Sequence, residues 1–564
     1  MQAILAARID RLAPDEKALL QQLAVIGRQF PVSLLRQVLP YSEADLYRLL
    51  ASLQRKEFLY EQPAFPEVEY IFKHALTQEV AYGTVLQEQR KLLHERTGQA
   101  LEALYGTTLH EHYSDLAHHY RRSPNLEKAI AYLQLAGQQA GQRSDHAEAI
   151  TQLTSALELL KTLPGTPTRD RQELTLQLSL GPAFVAQGWA APEIEKAYTR
   201  ARELCQQVEE TTQLFPILWG LWLGYAARPD YKTAQELAGQ CLDLAHRSQD
   251  PSLCIEASYI AGVTWFCLGE FSKALEHFEQ SITLYHPQQH SSLASLYGGQ
   301  DPGVLCRTDA AWNLWFLGYP DQALKKTNEA LTLAQDLSHP FSLSVAFTLA
   351  AVFHQLSRNI QATQEQAEAA ITLASEQGLP FYLAWGKMLR GWALVERGYE
   401  EEGTAQIREG LTFPHSGGEF MRSWTLTLLA EAHAKRKQAQ EGLGVLTEAL
   451  TMVDKTGERF YEAELYRIKG TLTFQLKIKS GEWRAKEAEG CFLRAIEIAQ
   501  KQQAKSLELR AVMSLARLWQ QQGKTAEARQ RLAEIYGWFT EGFDPKDLQE
   551  AKKLLEEFAG IVQT

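Results

Sequence analysis

From about Tyr132 to the C-terminus the chain repeats one helical hairpin, and that periodicity restricts what it can fold into. A small residue followed seven positions later by an apolar or small one recurs near the second helix of each unit. The pairs are Ala274/Ser281, Ala323/Ala330, Thr363/Ala370, Gly403/Gly410, Gly442/Ala449, Ala488/Ala495 and Ala528/Ile535. By subtraction of their first members the units are 49, 40, 40, 39, 46 and 40 residues long. A period of that size predicts a stack of helix pairs, each unable to bury its apolar face without its neighbours. Arrays of this kind bind partners along a concave surface far more often than they perform chemistry.

At 564 residues the chain is too long for one core, which predicts two or three parts, one of them elongated. A hydrophobic content of 45% with 22% charged residues is that of an ordinary folded protein. The formal net charge of −11 argues against a nucleic-acid-binding array, because phosphate binding needs a concentrated basic face. Lys435, Arg436 and Lys437 form a short basic cluster that reads as a solvated face. No run approaches the roughly 20 apolar residues of a membrane span, and the first dozen residues, with Arg8, Asp10 and Arg11, lack a signal-peptide pattern. Six scattered cysteines without a C-x-x-C pair read as structural thiols of a cytoplasmic protein.

Residues up to about 105 do not follow the repeat. Pro14 opens an amphipathic helix ended by Gly27, a short helix follows at Pro31–Val38, and Ser42 caps a third through Lys56. Phe58–Gln62 and Glu69–Phe72, separated by a loop through Pro63 and Pro66, read as a β-hairpin. Three helices and a hairpin are the pattern of a winged helix. Its wing would carry Glu61, Glu67 and Glu69, which repel a phosphate backbone, so DNA binding is not expected.

The string YIFKHALTQEVAY (70–82) is the most distinctive in the chain. It resembles the end of the winged-helix domain in large bacterial proteins that join a class III adenylate/guanylate cyclase, a STAND-type AAA ATPase and a tetratricopeptide tail. AHHYRRSPNLEKAIAYLQLAG (117–137), LFPILWGLWLGY (214–225), LYGGQDPGV (296–304), DKTGERFYEAELYRIKG (454–470) and the stretch from Ala504 to Leu555 are similar to strings of the same family. The resemblance implies a winged-helix domain over 1–105, tetratricopeptide-like hairpins over 106–540 and a capping helix over 541–564. It also implies an all-α, right-handed superhelix apart from the one hairpin. The cyclase and ATPase modules are not in this chain. No G-x-x-x-x-G-K-[ST] loop occurs: Gly523-Lys524-Thr525 is preceded by Leu518 where the first glycine belongs. No enzymatic activity and no cofactor are therefore expected. QAILAARIDRL (2–12) reads as the middle of a family helix, which implies either a truncated protein or a nucleotide module supplied in trans.

In STAND ATPases a histidine of the winged helix reaches the ADP phosphates and holds the resting state. By that resemblance His74, in Phe72-Lys73-His74, is the nucleotide-sensing candidate. The other reading is that His74 caps the following helix or packs on the hairpin.

Histidines 94, 110, 112, 118 and 119 lack a His-Glu-x-x-His pair. Adjacent His118 and His119 point about 100° apart on a helix, so no metal site is expected. Trp219 with Trp222, and Trp312 with Trp315, sit at i,i+3. Such pairs either pack in the core or line the groove as partner-binding candidates. The glycine- and proline-rich segment from His286 to Gly303 accounts for the 49-residue unit and is read as a loop, for binding or for closing a gap. The effector-sensing arm of the maltose-regulon activator, another STAND protein, is similar in its long units, which implies a small ligand as an alternative to a protein partner. The sequence thus points to a non-catalytic sensor or scaffold arm that binds a protein or small molecule. The rival is a stand-alone scaffold with no nucleotide link.

Overall fold

The computed structural model describes residues 2–63, 67–189, 191–208, 212–412, 419–476 and 481–562; Pro66 lies outside them. Packing divides the chain into two compact units, Met1–Ala140 with Ala147–Leu176, and Gly141–His146 with Gln177–Thr564.

In the first unit, helices Pro14–Ile26, Val32–Val38 and Glu43–Arg55 pack around Leu19, Leu23, Leu35, Leu50 and Leu53, all fully buried. Each begins where its sequence allows. Pro14 supplies a preset φ at the first helical position, and Ser42 Oγ accepts from the Asp45 amide at 3.2 Å. The expected hairpin is present as β2 (Leu59–Gln62) and β3 (Glu69–Phe72), antiparallel, after β1 (Gln29–Pro31), which pairs with the other edge of β3. Strand order is β1-β3-β2. Glu16 ties helix to helix: it accepts from the Ala13 amide at 3.1 Å and from Ser52 Oγ at 2.6 Å, and it pairs with Lys56. The ammonium of Lys56 and the Ser52 hydroxyl hold its carboxyl down to about 2.

The second unit is built of consecutive helix pairs. Their two members differ in a way that follows from composition. First helices such as Leu214–Ala227, Pro302–Leu317 and Pro340–Leu356 are apolar nearly all round and buried nearly all round. Second helices bury one stripe; Pro320–Leu337 buries Pro320, Ala323, Thr327, Ala330 and Ala334. The small-residue pairs of the repeat lie on that stripe, where backbones touch. Gly403 abuts the Gly391 carbonyl, and a Cβ on Gly410 would collide with Met388.

The array also closes on itself. The Arg459 amide donates to the Cys267 carbonyl at 2.7 Å, Tyr231 OH donates to Glu458 at 3.2 Å, and Ser506 Oγ donates to the Trp315 carbonyl, 191 residues away. The Asp321 amide reaches Glu541 at 3.1 Å. First helices therefore meet across the middle of the unit, which is why they lack a polar face. The curl brings first helices from distant hairpins against one another. The closing helix, Lys546–Val562, packs Leu548, Ala551, Leu554 and Phe558 on the last hairpin.

The segment His286–Gly303, expected as a loop, folds into short helices Pro287–His290 and Leu293–Leu296 and turns inward. Asp301 explains the turn: its carboxylate accepts from the Val304 amide at 3.1 Å, capping the next helix, and from Tyr285 OH at 2.7 Å. Gly298 and Gly299 adopt φ of +72° and +77°, and a Cβ on either would press into Trp219 or Phe341. No described helix is long and apolar enough to cross a membrane.

Candidate functional site

The tryptophans of the first helices form a ladder. Trp219 Nε1 donates to Glu256 at 3.0 Å, 37 residues on, and Trp392 Nε1 donates to Glu431 at 3.0 Å, 39 residues on. One first helix supplies the indole and the next supplies the acceptor, so the spacing is that of the repeat. Trp222 Nε1 donates to Thr264 Oγ1 at 2.8 Å, and Trp312 Nε1 to the Leu349 carbonyl at 3.1 Å. Trp315 lies under the Arg510 guanidinium, 4.8 Å from its ring centre.

Exposure of Trp219, Trp222, Trp312 and Trp315 is 4%, 0%, 3% and 3%. Trp219 and Trp222 are brought together at 5.9 Å between ring centres. All four sit inside the unit, and none presents a ring to a macromolecule at its surface. Of the four, Trp312 lines an interior cavity.

That cavity, about 40 Å³ in volume, lies between first helices and the inward-turned segment. Phe266 and Trp312 stand 6.0 Å apart on one side, Phe381 and Trp385 5.1 Å apart on another, and Trp189 stacks on Phe381 at 6.1 Å. Tyr259 and Tyr382 complete the aromatic lining. Gln300, from the former loop, donates to Tyr382 OH.

Asp309 also lines the cavity. The other deep carboxylates of the unit have donors: Glu256 has Trp219, Asp301 has Tyr285, and Glu458 has Ser423 and Tyr231. Among the described residues, no hydrogen-bond donor and no cation reaches the carboxylate of Asp309. Burial alone pushes it up to about 8. Part of its surface stays open although it is packed at depth, which is how a residue facing a cavity looks. Asp309 was not legible as a site; its signal, an acid three residues before Trp312, stands in a helix that also carries Arg307, Thr308 and Asn313.

His74 lies in the first unit, exposed at the N-terminus of helix Ala75–Gly83, and its side chain makes no cap hydrogen bond. Only its backbone carbonyl engages the turn, accepting from the Thr77 amide at 2.9 Å. The histidine cluster is partly real as a contact: His94 Nδ1 and His119 Nδ1 are 3.0 Å apart, and Tyr82 OH is 3.1 Å from His94 Nε2. Burial pushes His94 down to about 3 and His119 well below its ordinary range. No group of three metal-ligating side chains occurs among the described residues. A cleft beside this cluster has Arg28, Arg121 and Arg122 on its walls together with Glu69, Asp115 and Glu148. Its mixed charge selects no ligand class.

No family model matches the chain. An uncharacterized protein of Rhizobium meliloti (strain 1021) is 24% identical over 523 residues, which are 92% of this chain and 50% of that protein. The chain thus spans about half the length of the curated relative it matches. Solved structures that it is similar to are tetratricopeptide-repeat proteins. A Rap protein complexed with competence and sporulation factor aligns with a TM-score of 0.47 and 13% identity, over 66% of this chain and 98% of that one. A STAND protein with a tetratricopeptide repeat sensor from Pyrococcus horikoshii aligns with a TM-score of 0.33 and 11% identity, over 88% of this chain and 66% of that one.

Proposed function

We propose that this chain is a non-catalytic sensor arm of a signalling protein of the ATPase or cyclase type, and that its helical array holds a small-molecule ligand inside. The observation that carries the reading is the aromatic cavity with an unpartnered carboxylate on its wall. A buried polar group without a partner costs stability, and a functional occupant accounts for its presence. Long-unit arrays that close around an effector can transmit occupancy, because filling the middle changes how first helices meet. On this reading residues 1–105 are a winged helix, 106–540 the sensing hairpins and 541–564 the cap. His74, exposed beside the hairpin, would meet the phosphates of a nucleotide module preceding it or supplied by another chain.

The test is a thermal-shift screen of fractionated metabolite extract against the purified chain and against Leu305→Phe, which fills the cavity. A fraction that raises the melting temperature of the first and not of the second supports the reading. Equal shifts in both, or none in any fraction, would sink it. Labelled ADP and ATP with magnesium, added in parallel, should neither bind nor be hydrolysed.

A further inference from the structure

We propose that the interior cavity binds a small organic cation, an amine or methylated ammonium, with its charge on the Asp309 carboxylate and its substituents against the surrounding aromatic rings. This rests on the sensor reading and names the chemistry of its ligand.

Three observations converge. The first is the carboxylate itself. The deep acids Glu256, Asp301 and Glu458 each accept a hydrogen bond from a named side chain, whereas among the described residues none reaches Asp309, which faces the cavity. A buried carboxylate on its own escapes the cost of its charge by keeping its proton, and a cation is the partner that lets it ionise. The second is the composition of the wall. Indole, phenol and phenyl rings offer negative faces to a cation, and tryptophan offers the strongest. Trp189, Tyr259, Phe266, Trp312, Tyr382 and Trp385 all border the space with Asp309. The third is what the wall lacks. Among the described residues, no lysine or arginine lines the cavity to serve as an internal counter-ion, and no second carboxylate or histidine stands with Asp309 to ligate a metal. A metal cation would need several oxygen ligands, which one carboxylate and aromatic rings do not provide.

Size and access fix the form of the cation. Apart from Asp309 and Phe420, the lining side chains are buried, so among the described residues no groove for an extended polypeptide reaches the cavity. At about 40 Å³ the space suits only a small free molecule.

The experiment titrates the full chain by calorimetry at pH 9, above the value of about 8 to which burial raises Asp309, with tetramethylammonium, butylammonium and neutral tert-butanol. Both cations should bind and tert-butanol should bind at least tenfold more weakly. Asp309→Asn, which keeps the shape, should lower cation affinity by about tenfold to a hundredfold, the scale of one charged contact. Leu305→Phe should abolish binding by occupying the space. Circular dichroism confirms that each variant is folded. If tert-butanol matches the cations, or Asp309→Asn leaves their affinity unchanged, the cation proposal is overturned. If neither cation binds while a metabolite fraction still distinguishes the wild-type chain from Leu305→Phe, the proposal is overturned and the sensor reading stands.

Discussion

Arg510 Nε donates to Asp547 Oδ2 at 2.7 Å, and that bond joins the closing helix to a first helix of the last hairpin. Arg358 approaches the same carboxylate at 2.9 Å, and Arg510 also reaches the Leu356 carbonyl. Glu464 lies 3.6 Å from Arg510 and pairs with Arg467 at 2.8 Å. Desolvation opposes every charge here, and the opposing partners more than offset it: Arg510 is raised, and Asp547 and Glu464 are lowered. Asp547→Ala strands two guanidinium groups and should cost about 3–5 kcal/mol in urea unfolding. Replacing Arg510 and Asp547 together by leucines should cost less than Asp547→Ala alone. A loss below 1 kcal/mol for Asp547→Ala would mean that the closing helix is not held here.

Two glycines of the second unit should respond oppositely to the same substitution. Gly220 lies against the ring of buried Tyr198, which it shares with Gly181, so a Cβ there enters the ring. Gly220→Ala should destabilise by about 1–3 kcal/mol through overpacking. Gly239, inside helix Tyr231–Ser248, has nothing within 4 Å of a Cβ. Gly239→Ala should stabilise by about 0.5–1 kcal/mol, the difference in helix propensity. Chemical denaturation of the two variants decides it; the same sign for both contradicts the packing described.

The repeat was legible because small residues at Ala323/Ala330 or Gly403/Gly410 sit where helix backbones touch, and sequence records such contacts as a period. β1 was not legible: three residues ending in Pro31 carry no alternation to read. The inner wall was hidden for a different reason. A first helix such as Pro302–Leu317 is buried on nearly every face, so its sequence does not say which side meets a neighbour and which a cavity. Trp312 and Trp315 look equivalent in the sequence, yet one borders the cavity and the other stacks under Arg510. The curling that separates them depends on contacts between residues some 190 positions apart, as from Ser506 to Trp315. His74 was proposed from resemblance alone, and the fold shows only that it is exposed.

His94 and His119 predict acid sensitivity in the first unit. Both are buried against each other, and burial lowers both, His94 to about 3. The unfolded chain binds these protons near pH 6.5 while the folded unit refuses them. The stability they contribute is therefore present above pH 6.5 and is lost progressively as pH falls toward 3. Amide exchange in helix Tyr113–Arg121, corrected for intrinsic rates, should quicken from pH 6.5 to 4.5. His119→Leu should reduce that dependence. An unchanged dependence in the variant would remove the histidine pair as its cause.

Asp309 predicts the reverse dependence in the second unit. Its folded value of about 8 exceeds the ordinary 3.8, so the folded chain holds this proton where the unfolded chain has released it. That contribution to stability is whole below about pH 4 and disappears as pH rises toward 8. Tyr259, Cys306 and Tyr382 lie near it and carry no positive charge to oppose the trend. Glu458, raised to about 7, and Asp301, raised to about 6, titrate in the same window, so wild type alone cannot isolate Asp309. The difference between wild type and Asp309→Asn does so, since the other acids are common to both. The variant should be more stable at pH 8 by on the order of 1–3 kcal/mol, the cost of an unpaired buried polar group, and the gap should close toward pH 4. A gain in stability on removing a charged side chain marks a residue kept for something other than folding, and a saturating organic cation should narrow the gap by stabilising the wild-type chain alone. Melting curves of both proteins at several pH values, with and without tetramethylammonium, measure it directly. A variant less stable than wild type at pH 8 would show that Asp309 has a donor after all.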